Sequence, residues 1–182
     1  MKTIGVIANV GRDPELTYTK QLVDSIEKHG GTAVLDGGIL SAPGASAFVK
    51  DEKACETFED CDMVVCLGGD GTFLKAAKMV YKIGLPILGI NIGNLGFLAE
   101  ADRNGIDRAV AQLFDNDYAV EERMMLEAVI YSEGRAIAAD TGLNDAVITR
   151  GAISRIVHVK TYVNDVFVDM FPGDGLIISS PT

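Results

Sequence analysis

The ten residues Cys66–Lys75, CLGGDGTFLK, set one carboxylate among Gly68, Gly69 and Gly71, where an apolar strand gives way to a helix. Glycine tolerates φ > 0, so successive N–H groups there could face one concavity and hold phosphate oxygens, helped by the positive end of the helix. Thr72 could cap that helix or touch a phosphate. A carboxylate in such a seat needs its own reason, because two like charges a few ångströms apart cost about 4 kcal/mol at an intermediate effective dielectric. The conflict resolves if Mg²⁺ intervenes, or if Asp70 accepts the proton of an attacking hydroxyl. On that reading the glycines seat phosphates and Asp70 activates an alcohol for phosphoryl transfer. The plain alternative is a tight strand-to-helix turn with Asp70 or Thr72 as its N-cap. No Gly-Lys pair and no G-x-G-x-x-G run occurs, so neither common phosphate loop is present.

Three further segments concentrate turn and polar residues at strand ends. NIGNLGFLAE (91–100) gathers glycine and asparagine; alone it reads as a turn with Phe97 in the core. GLNDAVITRG (142–151) puts Asn144 and Asp145 at the head of a β run. An amide and a carboxylate side by side suit a ribose diol, and an Asx turn explains them equally well. FPGDGLIISSPT (171–182) holds Asp174 between two glycines and ends in small hydroxyl residues that could meet a base or sugar.

The elements that must position these residues follow from hydrophobic spacing. Strands are expected at 3–9, 32–36, 62–69 and 86–91, and helices at 16–31, 72–83 and 105–117, with a short helical piece before residue 62. Residues 37–50, rich in glycine, serine and proline, read as a mobile loop. Strand and helix alternate, so residues 1–117 are expected to form a doubly wound, mostly parallel α/β sheet. From 118 to 182 the β runs are broken by Glu-Gly and Asn-Asp turns with no helical segment, which predicts the start of an antiparallel β domain. That β region is short and stops on an apolar strand, so the chain is expected to be a fragment.

Composition narrows the function classes. With 48% hydrophobic and 23% charged residues the chain can bury a core, and no apolar run reaches membrane-spanning length. A net charge of −10 argues against broad affinity for nucleic acid or anionic membrane, while a small anionic nucleotide is still admitted by a local glycine nest. Cys55, Cys61 and Cys66 form no C-x-x-C pair, and the last two flank an expected buried strand. Reduced core thiols, hence a cytoplasmic location, are expected, and no metal site is. His29 is expected at a helix C-terminus.

Taken together, GGDGT, the N-x-G-x-LGFL-like segment, the Asn-acidic pair and DGLI-S-x-PT occur in the order of the NAD kinase family, and the chain resembles that family of bacterial type from its first strand to Thr182. The resemblance implies MgATP and NAD as substrates, with Asp70 as the base that takes the proton of the 2′-hydroxyl of the adenosine ribose. It implies NAD contacts at Gly71, Phe97, Asn144, Asp145, Arg155, Asp174 and Thr182, and phosphate contacts at Gly68, Gly69, Gly71 and Thr72. Lys75 would be a further NAD contact, with a solvated helix lysine as the alternative. Ser180 stands where the family usually has threonine, and the family's GSTAY portion would follow Thr182. A homo-oligomer is implied for the full-length enzyme. Two other readings remain: a GGDGT kinase for a lipid or sugar hydroxyl, and a non-catalytic nucleotide-binding fragment needing a second chain.

Overall fold

The central strands of the first unit, Thr3–Ala8 and Met63–Gly68, are apolar along nearly their whole length because both faces of the sheet are covered there. In the computed structural model, which describes residues 1–47, 58–93, 96–151 and 156–181, the chain divides into two compact units, Met1–Glu121 and Glu122–Thr182. The first holds β1 (Thr3–Ala8), α1 (Thr17–Lys28), β2 (Thr32–Leu35), α2 (Gly37–Leu40), β3 (Met63–Gly68), α3 (Asp70–Val80), β4 (Ile87–Asn91), β5 (Ala101–Asp102) and α4 (Ile106–Asp115). All five strands are parallel, in the order β2-β1-β3-β4-β5. Alternate residues of β1 and β3 serve the two faces. Ile4, Val6, Val65 and Leu67 pack with Leu22, Ile26, Val110 and Leu113 of α1 and α4. Ile7, Val64 and Cys66 pack with Ala76 and Val80 of α3 on the other face. Each of these fully buried aliphatic side chains contributes roughly 1.5–3 kcal/mol relative to exposure.

Helix ends are settled by local polar groups. Leu16, at φ 54°, offers α1 no cap; the buried Asp13 carboxylate does so instead, accepting from Thr19 N (2.8 Å), Thr19 Oγ1 (2.7 Å) and Tyr18 N (3.3 Å). His29 closes α1, its Nδ1 lying 2.8 Å from the Ser25 carbonyl oxygen and its ring stacked on Phe114. The segment expected to be a loop from residue 37 begins instead with α2. Asp36 caps it by accepting from Ile39 N at 3.0 Å, which offsets the poor helix propensity of Gly37 and Gly38. The helical piece expected before residue 62 lies outside the described residues.

The second unit contains strands only, among its described residues: β6 (Leu126–Ser132), β7 (Arg135–Gly142), β8 (Asp145–Thr149), β9 (Val157–Val163), β10 (Val166–Gly173) and β11 (Gly175–Ser179). They pair antiparallel as β6/β7, β9/β10 and β8/β11. The first two pairs are hairpins turned by Glu133-Gly134 and Asn164-Asp165, whose four positive φ values give the mirror-image turn that matches strand twist. Many apolar side chains of this unit are exposed, among them Ile130, Val147, Val166 and Ile177.

Candidate functional site

Strand order decides where a ligand can sit on the first unit. With the order 2-1-3-4-5, the connections after β1 and β3 leave toward opposite faces, and a crevice opens between them at the carboxyl edge of the sheet. A cleft of about 650 Å³ occupies that place, lined by Asn9, Arg12, Asp36, Gly69, Asp70, Gly71, Thr72, Lys75 and Gly96, among others.

Three loops build it. After β1, Asn9 donates its N–H to the Leu67 carbonyl of β3 at 2.8 Å, and its own carbonyl accepts from Arg12 N at 2.9 Å and Asp13 N at 3.1 Å. After β3, Gly69 is extended (φ −118°, ψ −168°) and its carbonyl accepts from Thr72 N at 2.9 Å, so α3 begins at Asp70 without a side-chain cap. After β4, Asn91 Oδ1 accepts from Gly93 N at 2.7 Å, and Ile92 N donates to the Gly68 carbonyl at 3.2 Å.

Asp70 joins the second loop to the third. Its carboxylate accepts from Phe97 N at 3.1 Å through both oxygens and from Leu98 N at 3.1 Å through Oδ1. Gly96 allows this approach, since a Cβ there would lie 2.2 Å from Asp70 Oδ1. The carboxylate is therefore fixed in direction by two backbone donors while facing the cleft.

The glycines act differently from the sequence-based expectation. None of Gly68, Gly69 and Gly71 has positive φ. Space is short at Gly68, where a Cβ would meet Thr72 Oγ1 at 2.1 Å; a Cβ on Gly69 would lie 3.1 Å from Arg12 Nη1, and Gly71 faces open space. Thr72 neither caps α3 nor stands free; its side chain is buried against Gly68. Phe97, which alone read as a core residue, is 97% exposed, and only its backbone belongs to the Asp70 anchor. Lys75 lines the cleft with its Nζ 3.8 Å from Asp36 Oδ2. Cys66 lies directly before the glycines, but burial pushes its thiol up to about 12, which removes it as a nucleophile.

On the second unit, the two segments singled out in the sequence become partners in one ladder. Asp145 pairs with Ser179, and Ser180 N donates to the Asn144 carbonyl at 3.0 Å, so Asn144, Asp145 and Ser180 share one end of β8/β11. Asp174 lies at the other end, about 15 Å along the strands, where Arg150 Nη1 is 3.3 Å from its Oδ1. Arg155 and Thr182 lie outside the described residues.

These motifs and this sheet order meet in one known family. A model of the ATP-NAD kinase N-terminal domain matches residues 4–118. The chain belongs to the ATP-NAD kinase family. A curated NAD kinase from Acetivibrio thermocellus is 52% identical over 183 residues, covering 100% of this chain and 62% of that protein. Another from Ruminiclostridium cellulolyticum is 49% identical over 185 residues, covering 100% and 63%. The chain thus spans less than two thirds of these relatives' length. A crystal structure of yeast NADH kinase complexed with NADH has the same fold, with a TM-score of 0.76 at 18% identity, covering 100% of this chain and 58% of that one.

Within this ATP-NAD kinase chain, the cleft is lined by Gly69, Asp70, Gly71, Thr72 and Lys75 but not by Gly68, and also by Asn9, Arg12 and Asp36. The added residues stand at the ends of β1 and β2. Their sequence signal was a strand followed by a polar turn, which gains meaning only once β1 and β3 are known to be neighbours.

Proposed function

We propose that this chain carries the catalytic carboxylate and part of the nucleotide site of an NAD kinase, which transfers the terminal phosphoryl group of ATP to the 2′-hydroxyl of the adenosine ribose of NAD. The observation that carries this reading is Asp70, anchored by Phe97 N and Leu98 N at the mouth of the switch-point cleft. The 2′-oxygen attacks the γ-phosphorus and the bond to the β,γ-bridging oxygen breaks. ADP leaves, and the hydroxyl proton passes to the Asp70 carboxylate.

Gly69, Gly71 and the start of α3 hold the phosphates, Lys75 lies beside them, and the exposed Phe97 ring offers a face for a base to stack on. Among the described residues no group of three His, Cys, Asp or Glu could hold a metal ion. Mg²⁺ enters this reading as part of the MgATP substrate. Asn144, Asp145 and Asp174, exposed on the second unit, are proposed NAD contacts, as are Arg155 and Thr182. The buried thiols of Cys61 and Cys66 suit a reducing, cytoplasmic compartment.

The test is NADP formation from MgATP and NAD, coupled to an NADP-specific dehydrogenase, by this chain and by one of the relatives' full length. Asp70→Asn should lower turnover of the active form about 10²–10⁴-fold with an unchanged melting temperature. Near-normal turnover in Asp70→Asn would refute the base assignment. A second reading, nucleotide binding by this chain without turnover, follows from its spanning 62% of its relative. Saturable NAD binding with no NADP formed by the 182 residues would support it.

A further inference from the structure

Arg12 is one of the cleft residues that the motifs did not reveal. Its loop is pinned at both ends. Asn9 is bonded to Leu67 of β3 and back to Arg12 N at 2.9 Å, and the next residue, Asp13, is buried as the cap of α1. The side chain leaves this turn across the crevice. Cβ atoms placed on Gly69 and Gly93 would lie 3.1 Å and 2.6 Å from its Nη1, so two glycines on two different loops leave room for one guanidinium. Gly93 had no role in the sequence reading, and this close approach supplies one.

The charges of the cleft are unevenly matched. Lys75 faces Asp36, and Asp70 is held by backbone donors. Arg12 forms no ion pair with a described carboxylate, although the chain carries a net charge of −10. Arg12 is exposed and lines a cleft of about 650 Å³, and a guanidinium can offer two parallel N–H groups to an anion. A phosphate oxygen pair matches that fork.

We propose that Arg12 binds the phosphate chain of the triphosphate donor in this cleft. The assignment rests on reading the cleft as the donor's phosphate seat. It divides the labour between an arginine on the β1 loop that neutralises phosphate and an aspartate after β3 that receives a proton.

Inorganic tripolyphosphate with Mg²⁺ isolates this role from the adenine, the ribose and turnover. Isothermal titration of the 182-residue chain should show saturable binding. Arg12→Gln should weaken it tenfold or more, and Arg12→Lys, which keeps the charge but loses the fork, about threefold. Affinity within twofold of the parent in Arg12→Gln would overturn the proposal, and so would failure of the parent chain to bind tripolyphosphate. If Arg12→Gln melts early, Arg12→Lys carries the test, and unchanged affinity there overturns the assignment. Failure of the kinase reading would look different: tripolyphosphate binding sensitive to Arg12, with no NADP formed by a chain of the relatives' length.

Discussion

A side chain that must receive a proton from a substrate hydroxyl has to be aimed, and Asp70 is aimed by the backbone of Phe97 and Leu98. The aim depends on a residue that does no chemistry. Gly96 leaves its Cβ position open 2.2 Å from Asp70 Oδ1, so Gly96→Ala must push the carboxylate away from its donors. We expect Gly96→Ala to lower turnover in an active form about a hundredfold, the scale of a misplaced catalytic group, with little loss of thermal stability. Steady-state kinetics beside a melting curve checks this, and full activity would show that the anchor is dispensable. At this scale the sequence was legible in residue type but not in reason. Glycine clusters mark close approach, and positive φ is only one of the ways in which glycine meets it. Arg12 was not legible, because the neighbours that give it meaning, Gly69 and Gly93, lie 57 and 81 residues further along the chain.

Two helices, α1 and α2, hold their starts through single carboxylates. Asp13 gathers three donors at the start of α1, and Asp36 gathers Ile39 N at the start of α2. Asp13→Ala should leave Thr19 Oγ1 and two backbone N–H groups without that partner in a buried place. It should destabilise the first unit by about 2 kcal/mol. A lower urea midpoint at constant denaturant slope would confirm it, and an unchanged midpoint would refute the capping role. Strands β1, β3 and β4 and helices α1, α3 and α4 were readable from apolar spacing, because packing on both faces imposes that spacing. Strand β5 is too short, at 2 residues, to leave a pattern. Helix α2 starts on two glycines that argue against helix, and its cap outweighs them.

As a whole molecule, the chain is two units with different interiors. In the first, β1 and β3 are buried along nearly their entire length; in the second, Leu143 is the sole buried hydrophobic residue among those described. Hydrogen exchange followed by mass spectrometry should therefore find the amides of β1 and β3 most protected and those of β6 to β10 exchanging earlier. Equal protection across both units would contradict this. The succession of α/β and then β structure was legible, because turn chemistry and hydrophobic period both change along the chain. The strand order was not, because no local signal tells β3 to pair with β1.

That pairing also sets a timetable on the ribosome. β2 pairs with one edge of β1, while the other edge waits for β3, which follows Leu35 by 28 residues at Met63. At about 5–20 residues per second the nascent chain carries this unpaired edge of a largely apolar strand for about 1–6 s. Slow codons placed in that interval would lengthen the exposure and lower the yield of folded protein without altering a single amino acid.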